Sequence, residues 1–190
     1  MSAIARSVIT DGPERSKADT MTGSLTTTTT GERADLLETL GKHRFFLRHT
    51  AQGLTDEQAA LSPTVSALSL GGLIKHVANT EAAWLRFVLG GAELMEKDST
   101  PWDEQHRMMP GETIAGLLER YEEVARETDE VIATLPDLDA GHPLPVAPWF
   151  EKGKSWSARR VFLHLIAETS QHAGHADILR ESIDGQRTMG

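Results

Sequence analysis

The sequence predicts an all-α fold, a four-helix bundle with a long loop between helices three and four. Three observations predict it. Four stretches of about 20 residues carry apolar side chains three and four apart, the period of a helix with one buried face. Capping residues open several of these stretches, and glycine or proline closes them. No segment alternates convincingly enough to read as a strand. Helices of that length joined by loops bury their apolar stripes most simply against one another, as a bundle.

Residues 1–30 lack sustained periodicity, contain Gly12-Pro13 and end in the run Thr26 to Thr30. They read as a disordered leader, with Met21 inside it a candidate natural start. The first helix runs from about Glu32 to Gln52 on Leu36, Leu40, Leu47 and Ala51, with Gly53 as its stop. Thr55 to Gln58 begins a short helical turn that Pro63 ends. Ser69 caps a second helix from Leu70 to Leu89, which Gly90-Gly91 is expected to stop. Its inward stripe is Leu73, Val77, Trp84 and Val88, with His76 and Thr80 on the flank.

A polar connection over 92–111 holds Pro101, Trp102 and Pro110. The third helix, Glu112 to Leu135, turns Ile114, Leu117, Leu118, Tyr121, Val124 and Val131 inward. Its outer face, with Glu122, Glu123, Glu127, Asp129 and Glu130, reads as solvated. Residues 136–154 hold four prolines and two glycines and form the long loop. Ser157 caps the fourth helix, which reaches about Glu181, and 184–190 read as a flexible tail. One domain over 31–183 follows from this pattern.

Composition narrows the function. A net charge of −9 argues against a nucleic-acid partner, which needs a basic surface. No apolar run approaches the roughly 20 residues of a membrane span, so no membrane partner is expected. The start of the chain lacks a basic segment followed by an apolar core, which makes the cytoplasm the expected compartment. Cysteine is absent, which removes disulfides, thiolate ligands and a cysteine nucleophile together. Any sulfur chemistry here needs a cosubstrate to bring the sulfur.

The fourth helix, VFLHLIAETSQHAGHADILRE from Val161 to Glu181, is the most informative stretch. His164, Glu168, His172 and His175 fall at i, i+4, i+8 and i+11, within an arc of roughly 80° at about 100° per residue. Val161, Leu165, Ala176 and Leu179 share that arc, so ionisable groups stand on the face expected to be buried. Leaving such groups unpaired costs several kcal/mol, and a metal ion would offset it. His164 with Glu168, and Glu168 with His172, each have the one-turn spacing that can grip one ion. His76 is the best third ligand, as the only histidine of the second helix. Imidazoles beside a carboxylate suit Zn²⁺ or a similar divalent ion, and three ligands leave a position open for substrate.

The alternative is a packed histidine cluster held by hydrogen bonds, with no metal. His175 suits a supporting or pocket-lining place. Asn79 and Thr80, near His76 on its helix, and Trp149, in the long loop, are further candidates for the lining. His43, His49, His106 and His142 show no pattern. Arg86, Arg159 and Arg160 are candidates to contact a polar cosubstrate, although arginines on bundle helices are usually solvated. Phosphate loops, GxSxG elbows and HExxH motifs are all missing.

The segments LGGLIKHVANTEAAW (Leu70 to Trp84) and HLIAETSQHAGHADILRE (His164 to Glu181) resemble the DinB-like superfamily of four-helix metal-binding proteins, over roughly Glu32 to Glu181. Many members carry His-x-x-x-His on the last helix; here the run is Glu168-x-x-x-His172-Ala-Gly-His175. A His, Glu, His set belongs to the mycothiol-dependent branch, which includes S-transferases and maleylpyruvate isomerases. The resemblance therefore implies His76, Glu168 and His172 as metal ligands and moves His164 into the supporting shell. It further implies a metal-dependent thiol S-transferase, with mycothiol or a related thiol as cosubstrate and an electrophilic small molecule as its partner, a detoxification chemistry. Isomerases of this type carry a further C-terminal domain, and this chain ends at Gly190, which counts against isomerase activity. The other reading is a non-catalytic, stress-associated bundle that binds a metal or small molecule. The exposed faces of helices one and three suit a homodimer.

Overall fold

Polar caps set where most helices begin. In the computed structural model, which describes residues 29–97, 101 and 104–188, the order is α1 (Glu32–Thr50), α2 (Asp56–Ala60), α3 (Leu70–Glu96), α4 (Ile114–Thr134), β1 (Gly141–Pro143), β2 (Ser155–Ser157) and α5 (Ala158–Asp184). Ser69, Thr113 and Ser157 each accept a hydrogen bond from a backbone N–H three residues on, at 3.1–3.2 Å. Each cap satisfies an orphan donor of the first turn, for about 1 kcal/mol. Thr55 and Gln58 form a reciprocal capping box that starts the one-turn α2. Gly185, at φ 79°, closes α5 in the left-handed conformation that glycine adopts without strain.

Helices α1, α3, α4 and α5 form the expected bundle, with α1 against α5, and α3 against both α4 and α5. Most of the expected leader, including Met21, lies outside the described residues, as does Trp102. Two apolar clusters fill the interior. One gathers Leu47, Leu73, Ile74, Val77, Tyr121 and Ala176. The other gathers Leu40, Trp84, Phe87, Ile132, Phe162 and Leu165. Each fully buried large side chain contributes about 1.5–3 kcal/mol.

A polar layer drawn from all four long helices separates the clusters along the chain. Arg44, Glu81, Thr128 and Thr169 are all at most 2% exposed. The Arg44 guanidinium donates to Glu81 through Nη2 and through Nε at 3.2 Å, and to Asp129 Oδ1 at 2.7 Å. Burial pushes the Glu81 carboxyl above its ordinary pKa, and Arg44 and Thr128 pull it back only in part. Asp129 thus departs from the solvated acidic face expected of this helix: its carboxylate serves the interior.

Two expectations are corrected. Gly90-Gly91 bends the second helix instead of stopping it. Gly91 takes φ 75°, ψ −162°, and helical residues resume as far as Glu96. The long loop also contains a strand, which pairs with the three residues that follow the loop. β1 and β2 pair antiparallel, with Gly141 opposite Ser157 and Pro143 opposite Ser155. Leu144 N–H donates to Lys154 O at 2.9 Å and extends the hairpin. A Cβ on Gly141 would lie 2.5 Å from Trp156 O, so this register needs glycine there. The carbonyls of Leu138 and Ala140 accept from Arg159 and Ala158 N–H, both at 2.9 Å, and so seat the first turn of α5. Three-residue strands are too short to show a period of two, which is why the sequence reading missed them.

Candidate metal centre

His76 projects from α3 about two turns beyond the cap at Ser69 and one beyond Gly72, while Glu168 and His172 lie one turn apart on α5. One donor atom from each of the three lies within 4.8 Å of the others. All three are half-buried. His172 Nε2 is 3.6 Å from Glu168 Oε2, and His164 Nε2 is 3.7 Å from Glu168 Oε1. The carboxylate therefore stands between two imidazoles of its own helix and meets a third from across the bundle. The edge of the His172 ring approaches His76, with centroids 4.9 Å apart and planes at 80°.

The electrostatics favour cation binding. Burial pushes the His76 imidazole down from its ordinary 6.5 to about 4, aided by His106 and His172 and opposed by Glu168. The Glu168 carboxyl is held below its usual range, chiefly by the His172 ring nitrogen that faces it, against the opposing pull of burial. At neutral pH the set offers a neutral imidazole lone pair beside a carboxylate anion. His76 Nδ1 is buried and has no hydrogen-bond partner. Two imidazoles beside a carboxylate, drawn from two helices into a half-buried setting, are a donor set that suits a borderline divalent ion, so these residues fit one.

His164 packs rather than joining the three. Its ring meets Trp84 and Trp156 edge-on, at 5.1 and 5.2 Å, and those two indoles stack on each other at 4.8 Å. Burial lowers its pKa, with Glu168 pulling the other way. His175 places Nδ1 3.5 Å from His172 Nδ1 and is not among the three converging donors.

Beside Glu168 opens a cleft of about 750 Å³. Asn79, Thr80, Trp149, His164 and Glu168 line it, whereas His76 and His172 do not. The cleft thus reaches the edge of the three donors rather than enclosing them. Trp149 stands 72% exposed at the rim. Arg86 lines the wall and donates to Met95 O at 3.4 Å, which ties the bent end of α3 to the cleft. Arg120, from α4, is a lining residue that the sequence reading passed over. Arg159 and Arg160 are engaged elsewhere: Arg159 pairs with Glu32 and Asp139, and Arg160 lies 4.3 Å over the Trp156 ring.

His106 and His142 were set aside on sequence and are both drawn inward. His106 stacks on His76 with centroids 4.3 Å apart. His142 sits against Phe87 and 3.3 Å from Val88 O, beside the bend in α3. Both reach their places on long connections, and no spacing in the sequence announces that.

Comparison with known proteins adds to this geometry. No curated protein matches the chain. Among solved structures, a conserved protein from Enterococcus faecalis is similar in fold, with a TM-score of 0.65, 13% identity, and 83% of this chain and 100% of that chain covered. A family model described as mycothiol-S-transferase matches residues 35–185, which take in all but the first residues of the bundle and all three donors. With that match, the chain belongs to the mycothiol-S-transferase family of DinB-like proteins.

Proposed function

We propose that the protein is a metal-dependent thiol S-transferase, with His76, Glu168 and His172 as ligands of a zinc-type divalent ion. The observation that carries this reading is the convergence of three donors from two helices at the edge of a cleft large enough for a small molecule. Mycothiol is the proposed cosubstrate, which the family supports and which accords with a chain that holds no cysteine.

A divalent ion held there supplies Lewis acidity, which favours the deprotonated form of a thiol near neutral pH. The rest falls to the protein. His76 stays neutral because it is buried, so its lone pair is available. Glu168, its carboxyl pKa lowered beside His172, stays ionised and brings negative charge to the site. His164, packed edge-on against the stacked Trp84 and Trp156, holds the far side of that carboxylate. Asn79, Thr80 and Trp149 line the space for the electrophile. The thiolate sulfur forms a bond to the electrophilic carbon as the leaving group departs with its electron pair. Detoxification of small electrophiles in the cytoplasm is the corresponding role.

The test uses untagged full-length protein. Metal content should be about one zinc-type ion per chain. Free mycothiol should disappear in the presence of chlorodinitrobenzene, and Glu168→Ala should abolish both while the far-ultraviolet circular dichroism stays unchanged. An unaltered rate in Glu168→Ala excludes this mechanism. Tight metal without thiol consumption, over a panel of electrophiles, would favour a non-catalytic binding bundle.

A further inference from the structure

A ligating imidazole usually has its orientation fixed by a hydrogen bond from its second nitrogen. His76 has a buried Nδ1 with no hydrogen-bond partner. Its pose rests on packing instead: the edge of His172 on one side and the face of His106 on another, at 4.3 Å and 26° between planes. His106 belongs to the α3–α4 connection, and three features seat that connection on the first turns of α3. Gly72 has no Cβ, and one there would lie 2.0 Å from His106 O. Gly71 leaves room in the same way for the Met108 side chain. Lys75, nearly buried, pairs with Glu112 at 2.7 Å and reaches Arg107 O at 3.5 Å. The backbone at His106 is therefore held against the helix that carries His76, one turn from it.

We propose that His106 is a positioning residue of the metal centre, holding the His76 imidazole by ring stacking. It is not one of the converging donors, which among the described residues are His76, Glu168 and His172. The glycine pair before His76 acts as the seat for this loop, so the segment from Leu70 to His76 both presents the ligand and receives the group that orients it. The inference rests on the proposed metal site and adds a residue to it.

The experiment measures zinc affinity of full-length protein by competition with a chromophoric chelator, for wild type, His106→Ala and His106→Phe. We expect His106→Ala to bind zinc about ten-fold or more weakly, and His106→Phe, which keeps a ring but no nitrogen, to stay within about three-fold of wild type. Equal affinity in wild type and His106→Ala overturns the proposal while leaving the metal site standing. A Phe variant as weak as the Ala variant also overturns it, since the nitrogen rather than the stack would then matter. A wild type that binds no zinc removes this proposal and the proposed function together.

Discussion

Replacing Arg44 with methionine tests the polar layer directly. Arg44 and Glu81 are 2% and 0% exposed, and Arg44 donates twice to that carboxylate. Methionine keeps much of the aliphatic stem and removes the charge, leaving Glu81 with Thr128 as its remaining support. The buried carboxyl then either stays ionised without a cation or takes up a proton. Its ordinary pKa is 4.5, so protonation at about pH 7.5 costs about 1.4 kcal/mol for each of three pH units, about 4 kcal/mol in all. That agrees with the roughly 3–5 kcal/mol seen when one partner of a buried ion pair is removed. The pH dependence follows from the sign of the shift. A raised pKa means that the folded chain binds the proton more tightly than the unfolded chain, so acidification repays the loss. Each unit from about pH 7.5 toward 5.5 should return about 1.4 kcal/mol to the variant relative to wild type. Urea unfolding at several pH values, with chelator present so that metal binding does not enter, measures this. A deficit under about 1 kcal/mol at pH 7.5, or one that is the same at pH 5.5, refutes the reasoning.

Two further outcomes are expected. The metal-free protein should lose stability as pH falls from about 6.5 toward about 4, because the unfolded chain protonates its histidine before the buried His76 does. The lowered pKa of Glu168 acts in the same direction. Allowing for partial exposure, the His76 share is about 1–2 kcal/mol; an identical pH profile for His76→Gln would count against it. Gly91→Ala should cost about 1–2 kcal/mol in urea unfolding, since φ is 75° and the new Cβ would come within 3.2 Å of His142 Nδ1. No loss there would mean that the bend relaxes freely.

The parts of this molecule that follow local rules were legible in the sequence, and the parts made by distant encounters were not. Ser69 and Ser157 cap the helices they were expected to cap, because an N-cap is a matter of three adjacent residues. His164, Glu168 and His172 come together because a helix brings every fourth side chain round to one face. His106 has no such rule behind it: its place over His76 depends on a connection seated by Gly72 and Lys75. The strands at Gly141–Pro143 and Ser155–Ser157 likewise exist only through each other. One signal was present and went unread. Arg44 sits in register with Leu36, Leu40 and Leu47, and Glu81 in register with Val77, Trp84 and Val88. A lone charge on each of two apolar stripes, opposite in sign, points to a buried pair.

The bend at Gly90-Gly91 makes the length of α3 a functional quantity. The same helix supplies His76 at one end and, beyond the bend, returns Met95 and Glu96 to the wall of the cleft. Each residue turns a helix by about 100°. One residue inserted between His76 and Gly90 would leave the three donors together but swing the terminal turn away from the cleft and from His142. The β1–β2 loop lends Val146 and Trp149 to the same cleft from outside the helices, and its length is not tied to that count. The stretch from His76 to Gly90 behaves like a ruler with both ends in use, so changes in substrate preference within this fold should accumulate in the loops while that interval keeps its count.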